Sequence, residues 1–308
     1  MNPNEHAQPH PDACFDASWL ALRRAADGAA RAPELEARAA EWLRQRQATT
    51  APPQRLRLID LGSGSGANPR HLAPRLPGPQ DWTLIDHDSG LLARARAACA
   101  GLRAADGGAV GVSTRSQDLA RLDAGTLAGA DLVCASALLD LVDAAWLERL
   151  ADACAAARCA LLVTLSVDGS WRFLSGAATT AAEAPPTAAD DDLVRAAFNA
   201  HQRRDKGLGA ALGPDAAPAL AACLEQRGFE VRLAASPWRL RLAEPADAAL
   251  ARALIDGWRD AARAQRPDAA ARITAWHARR TAECVPHGGG TLEVGHIDLF
   301  ATPPRVVR

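Results

Sequence analysis

The stretch Leu56 to Gly66, Leu-Arg-Leu-Ile-Asp-Leu-Gly-Ser-Gly-Ser-Gly, constrains the fold more than any other part of this chain. Leu56, Leu58, Ile59 and Leu61 supply the dense apolar side chains of a strand buried on both faces, as in a parallel sheet. Gly62, Gly64 and Gly66 then let the backbone turn sharply and leave no side chain between it and a ligand. Behind them Asn68 is placed to cap a helix and Pro69 to begin it, with Arg70, His71, Leu72 and Leu76 continuing the turn. A strand, a glycine turn and a helix in that order bind a nucleotide-like cofactor at the carboxyl edge of a sheet.

The loop taken alone fits two cofactors. Gly62, Gly64 and Ala67 satisfy the loose Gly-x-Gly-x-x-Gly/Ala form of a dinucleotide site. Asp60, two residues before the first glycine, joins Gly62, Gly64 and Gly66 in an Asp-x-Gly-x-Gly-x-Gly frame. That frame resembles motif I of the class I S-adenosylmethionine-dependent methyltransferases, and the resemblance runs from about Leu56 to Pro303. It implies an α/β fold: a Rossmann-like, doubly wound, seven-stranded and mostly parallel sheet with an antiparallel last strand, plus helical additions at the N- and C-terminal ends. It also implies S-adenosyl-L-methionine as cofactor, held at Asp60, Gly62, Ser63, Gly64, Gly66 and Asn68.

The following elements come in the order the resemblance requires. Asp81 to Asp86 reads as a short strand ending in an acid, with Asp88 or Ser89 capping the next helix. Asp86 lies where a nucleotide-binding fold puts the carboxylate that accepts ribose hydroxyls, and the family pattern sets His87 beside the adenine. A third strand, Ala109 to Arg115, leads to Asp118 and Leu119. In the family an acid here accepts from the adenine amino group, and the next amide contacts the ring. A fourth strand ends at Ser136, which the resemblance adds to the cofactor-binding residues, and the turn Ala137 to Leu141 then corresponds to the one that faces the transferable methyl. Ser-Ala-Leu-Leu in place of Asn-Pro-Pro-Tyr argues against methylation of a base amino group or a glutamine side chain.

A chain of 308 residues suffices for one large domain with insertions. We expect an N-terminal helical cover over 1–50, loose in its first eleven residues, and a methyltransferase domain over 51–308. Helices over 16–31 and 33–46 carry Trp19 and Trp42 on apolar faces, which either cover the ligands or pack on the sheet. A fifth strand spans Cys159 to Ser166, and an insertion at about 167–212 opens with an Ala/Pro/Thr-rich stretch read as a lid. A helix over 190–204 closes it. Beyond a sixth strand from Phe229, a second insertion at about 243–286 holds two helices, and the last strand, Thr291 to Ala301, is broken by Gly295.

The densest polar cluster is His201, Arg203, Arg204 and Lys206 before Gly207. Basic residues in a last helical turn followed by glycine are what the helix dipole and C-cap favour without any ligand. The other reading makes Arg203, Arg204 and Lys206, with Trp19, the substrate-binding residues for an anionic or strongly polar acceptor. Asp140 and His201 are the candidate general bases; His296 is assigned a structural part.

Thirty-five Lys and Arg against thirty-six Asp and Glu leave a net charge of −1, without the basic excess that nucleic acid demands. Seven scattered cysteines without a Cys-x-x-Cys pair indicate neither a disulfide framework nor a zinc site, and no metal is expected. No membrane-spanning run or signal sequence is recognised, so a cytoplasmic protein with a small-molecule partner is expected. The sequence sets no oligomeric state. A nicotinamide-dependent oxidoreductase, using the same glycine loop, and a non-catalytic S-adenosylmethionine-binding partner subunit are the competing readings.

Overall fold

The computed structural model describes residues 17–49, 54–175, 188–204, 210–284 and 289–304. Five parallel strands lie in the order β3-β2-β1-β4-β5: β1 (Leu56–Leu61), β2 (Gln80–Asp86), β3 (Val110–Ser116), β4 (Leu132–Ser136) and β5 (Ala160–Ser175). Beyond β5 comes β8 (Gly290–Thr302), which pairs antiparallel with β5 on one flank and with the edge strand β6 (Glu230–Ala235) on the other.

Alternation along the strands divides the core into two faces. Leu56 and Leu58 of β1, with Leu132 and Cys134 of β4, pack beneath α2 (Pro33–Ala48), α3 (Ala67–Leu72) and α4 (Ser89–Ala98). Ile59 and Leu61, with Val133 and Ala135, pack beneath α5 (Ala144–Ala157) and α7 (Ala216–Gln226). Asp60 therefore points to the α2–α3 side, where nothing but a polar partner can accommodate it.

The sheet has eight strands among the described residues, one more than expected. The extra strand, β7 (Trp238–Arg241), pairs with β8 beyond the end of β6. β8 itself is unbroken at Gly295; the irregularity lies in its partner, whose register shifts between Val163 and Ser166 and again between Val167 and Trp171. A side chain at 295 would overlap the Asp168 carboxylate and the Ser170 hydroxyl, so glycine is there for close approach. β5 also runs on to Ser175, into the stretch read as a lid; the rest of that stretch, 176–187, lies outside the described residues, as do 1–16.

The two insertions meet in one place. α6 (Ala188–Gln202), α8 (Pro245–Gln265) and α9 (Ala270–Glu283) pack against β7 and the far half of β5 and β8. Trp171, Trp238, Trp258 and Trp276 form the centre of this third core, and Trp19 and Leu22 of α1 (Ala17–Ala30) lean on it. Asp191 ties α6 to α9 by accepting from Trp276 Nε1 at 2.7 Å and from Arg280. Trp42, by contrast, packs on the sheet side and donates to Asp131 O at 3.0 Å.

Candidate active site

The strand order brings the carboxyl ends of β1, β2, β3 and β4 to one edge. Gly62, Gly64 and Gly66 all take left-handed φ angles (64°, 50° and 78°). Gly66 also admits α4, since a Cβ there would stand 3.0 Å from that of Ala95. The helix begins two residues earlier than the sequence suggests: Gly66 is the N-cap of α3, and Asn68, inside the helix, is buried. Its Nδ2 donates to Asp60 Oδ1 at 2.5 Å. The left-handed glycine frees Asn68 from capping and gives it to Asp60 instead.

Asp86 lies at the rim of the loop. Its Oδ2 accepts from Gly64 N at 2.8 Å and its Oδ1 from Asp88 N at 3.0 Å. The His87 imidazole is half-exposed beside it, Nδ1 3.4 Å from Asp86 Oδ1. Ser63 is buried, and its amide donates to Ile85 O at 3.1 Å. Asp118 is exposed and accepts from Ala120 N, while Leu119 is buried near Gly62 and its carbonyl accepts from Trp146 Nε1 at 2.8 Å. Ser136 Oγ, at the end of β4, accepts from Arg31 Nη2 at 3.2 Å.

Arg31 is the residue that sequence reasoning missed. It leaves the end of α1, is buried, and donates from Nη1 to Asn68 Oδ1 at 2.6 Å. Burial lowers its pKa against the opposing pull of Glu36, Asp27, Asp298 and Asp60. Burial likewise pushes the Asp60 carboxyl up to about 7, although Asn68 and Arg31 act the other way. Arg31 Nε and Asp60 Oδ2 are buried without a hydrogen-bond partner among the described residues. Unmet buried groups cost roughly 1–3 kcal/mol each, so a donor and an acceptor left open beside a bare glycine turn mark a place for a zwitterionic ligand.

A second group of unmet atoms surrounds a cavity of about 210 Å³ next to the turn after β4. Asp140, Ala137 and Leu141 from that turn line it, with Trp19, Trp171 and Trp238. Ala137 and Leu165, both in its wall, hold left-handed φ angles of 51° and 59° without being glycine. Such local strain persists where surrounding structure imposes it; Asp298 imposes it at Leu165, accepting from that amide at 2.7 Å, from Ala32 N at 2.9 Å and from Ser236 Oγ at 2.6 Å.

His296 also lines this cavity. The ring is buried, sits 4.7 Å from the Trp238 ring, and hydrogen-bonds through Nδ1 to Val294 O at 3.0 Å. Burial, helped by Arg23, pushes its pKa down to about 4. The basic cluster is elsewhere. His201 is not in the cavity wall, Arg203 pairs with Asp215 at 2.8 Å, and Arg204 donates to Gln265 Oε1 at 2.7 Å. Lys206 lies outside the described residues. Both arginines are exposed, which is the helix-end arrangement that needs no ligand.

No protein-family model matches the chain. A stretch of 59 residues is 48% identical to the biotin biosynthesis bifunctional protein BioCD of Bordetella avium, spanning 19% of this chain and only 12% of that protein. Among solved structures the chain is similar to a SAM-dependent methyltransferase from Geobacter sulfurreducens in complex with S-adenosyl-L-homocysteine, at 18% identity over 94% of this chain and 99% of that one, with a TM-score of 0.43. It is also similar to a SAM-dependent methyltransferase from Thiobacillus denitrificans in complex with the same compound, at 17% identity, 94% and 99% coverage and a TM-score of 0.41. The assignment of fold rests on the connectivity of this chain's own sheet. Five parallel strands in the order β3-β2-β1-β4-β5, closed by an antiparallel strand inserted between β5 and β6, make the Rossmann-like fold of the class I methyltransferases.

Proposed function

We propose that this chain is an enzyme that binds S-adenosyl-L-methionine and transfers its methyl group to a small polar molecule. The observation that carries the reading is the pair of open groups, Asp60 Oδ2 and Arg31 Nε, beside three left-handed glycines and the Asp86 carboxylate. These suit a ligand with an ammonium, a carboxylate and a ribose. Asp60 would accept from the ammonium, Arg31 would hold the carboxylate, and Asp86 would exchange the Gly64 amide for ribose hydroxyls. Asp118, Leu119 and His87 stand where an adenine would lie. When bound, the cofactor supplies an activated methyl on sulfur with a leaving group built in.

The protein's task is then to hold the acceptor in line, and orientation of this kind supplies on the order of 7–11 kcal/mol of barrier lowering. The Trp-lined cavity is the acceptor site in this reading, because it adjoins Ala137 to Leu141. Asp140, in its wall, is the candidate for receiving the acceptor's proton; His201 would need to act from outside it. An antiparallel strand between β5 and β6 weighs against the nicotinamide-dependent alternative, whose sheet is parallel to its last strand. Six described cysteines are free and buried, which supports a reducing, cytoplasmic setting; among the described residues no helix is long and apolar enough to cross a membrane.

The test is calorimetric titration with S-adenosylmethionine, S-adenosylhomocysteine and NAD. We expect the first two to bind and Asp86→Ala to weaken both by about 1.5–3 kcal/mol, the worth of hydrogen bonds to a charged group. Binding of NAD alone would overturn the reading.

A further inference from the structure

We propose that the groove between α1 and α3 binds the phosphoryl group of a small molecule, held by Arg24 and Arg31 from one side and by Arg70 and Arg75 from the other. None of Gly62, Gly64, Gly66 or Asp86 lines this groove, and its occupancy does not depend on the methyl-transfer reading above.

The path of α1 makes the groove. Its Leu20 lies against Gly64, and two turns later a Cβ at Gly28 would stand 3.8 Å from His71 Nδ1, so the helix crosses the glycine loop and then runs beside α3. A cavity of about 250 Å³ opens between them. Apart from Gly28 and Ala67, every residue of its wall is ionisable, and no Trp, Phe, Leu, Ile or Val is among them. Sites for nucleobases and hydrocarbons are predominantly apolar. This one offers no surface for either and suits a small, charged ligand.

The sign of that charge follows from which groups are already engaged. Asp27, in the wall, accepts from Arg23 Nε at 2.9 Å. Glu36, buried nearby, pairs with His71 Nε2 at 2.7 Å and with Arg75 Nε at 3.5 Å. The cations are less engaged than the acids. Arg24 is exposed and has no hydrogen bond or ion pair among the described residues. Arg70 uses Nε alone, donating to Gly66 O at 3.0 Å, which leaves both of its terminal nitrogens open. Arg31 gives its terminal nitrogens to neutral groups, Asn68 and Ser136. Burial works against its charge, and Glu36 and Asp27 are the acids that most sustain it; an anion in the groove would add to their pull.

Geometry then selects the kind of anion. A planar carboxylate is satisfied by one or two guanidinium forks. A phosphoryl group presents three acceptor oxygens around a tetrahedral centre and carries nearly two charges, so it accepts from arginines on several sides at once. The groove supplies them from two helices. Bridged between Arg24 and Arg70, such a ligand ties the helix that covers the glycine loop to the helix that leaves it.

The test titrates the full chain in a calorimeter with inorganic pyrophosphate and with citrate, at an ionic strength of about 0.15 M so that unspecific attraction is screened, and separately with S-adenosylhomocysteine. We expect pyrophosphate to bind in the millimolar range or tighter, ahead of citrate, and to bind still when S-adenosylhomocysteine is present. Arg24→Gln and Arg70→Gln should each weaken it about tenfold or more, the loss of one charge-assisted hydrogen bond. Arg44→Gln, which removes an exposed arginine of α2, should change it by less than about twofold. Arg24 is exposed and without a partner among the described residues, so its replacement leaves the fold intact; it should also leave S-adenosylhomocysteine affinity within about twofold. No binding of pyrophosphate, tighter binding of citrate, wild-type affinity in the Arg24 and Arg70 variants, or an equal loss in Arg44→Gln overturns the inference. Complete exclusion of pyrophosphate by S-adenosylhomocysteine overturns it too, since the anion would then occupy the place of the cofactor's carboxylate. Binding of S-adenosylhomocysteine without pyrophosphate sinks this inference alone, whereas pyrophosphate without S-adenosylhomocysteine sustains it and removes the methyl-transfer reading.

Discussion

At the scale of single residues, Asp60 and Arg31 show a site held at a cost to the fold. Asp60 is fully enclosed, with its carboxyl pushed from 3.8 up to about 7 by burial. Between about pH 4 and 7 the folded protein thus keeps a proton that the unfolded chain has released, and stability falls as pH rises through that window. The contribution is complete below the window and gone above it. Asp60→Asn should flatten this slope; urea midpoints at about pH 4.5 and 7.5 would show it as a smaller difference between the two conditions in the variant. Arg31→Ala should weaken S-adenosylhomocysteine binding by roughly 1.5–3 kcal/mol in calorimetry, since it removes a buried guanidinium from the place assigned to the carboxylate. Asp60, Gly62, Gly64 and Asp86 were legible because each has a fixed spacing from the strand that carries it. Arg31 was not, because its relation to Asn68 and Ser136 spans 37 and 105 residues of sequence and is made only when α1 folds back over the sheet.

At the scale of elements, the long β5–β8 ladder adds a separate Trp-lined cavity to the Rossmann-like sheet. The far halves of these strands, with β7, form the floor on which α6, α8 and α9 rest. Its weak point is Gly295, where Asp168 and Ser170 fill the space a side chain would need. Gly295→Ala should therefore destabilise the protein by about 1–3 kcal/mol, as overpacking does, and thermal unfolding would record it as a lowered Tm. Binding in the cavity should suffer as well, because Gly169, Ser170 and Gly295 all line it. The helices of the insertions were readable from their apolar spacing. β7 was missed although Trp-Arg-Leu-Arg alternates buried and exposed residues, since four residues between a strand and a long helix are too few for a periodicity to stand out. The continuation of β5 was missed for another reason: residues from 167 onward were read as part of an insertion, and the strand resumes its pairing with β8 at Trp171 only after a bulge over 168–170.

At the scale of the whole molecule, α1 links the glycine loop to the Trp-lined cavity. Leu20 lies against Gly64, Trp19 and Arg23 face the cavity, and Arg31 at its end reaches Asn68 and Ser136. Cofactor seated on the glycine loop would add contacts to this helix, so hydrogen exchange of amides 17–30 should slow on adding S-adenosylhomocysteine while that of α9 stays unchanged; mass spectrometry would resolve the two peptides. Equal slowing in both would mean a global effect instead. The sequence by itself determined the parallel sheet, the glycine turn and the acids at the strand ends, because these depend on local backbone needs and on spacings within single strand–turn–helix units. Tertiary structure alone decided which cations stand beside the glycine loop and the Trp-lined cavity. The conspicuous Arg203 and Arg204 form surface contacts, whereas Arg23, Arg31 and His296, with no local signature, come beside the glycine loop and the cavity because two separate insertions and the N-terminal helix converge on one edge of the sheet.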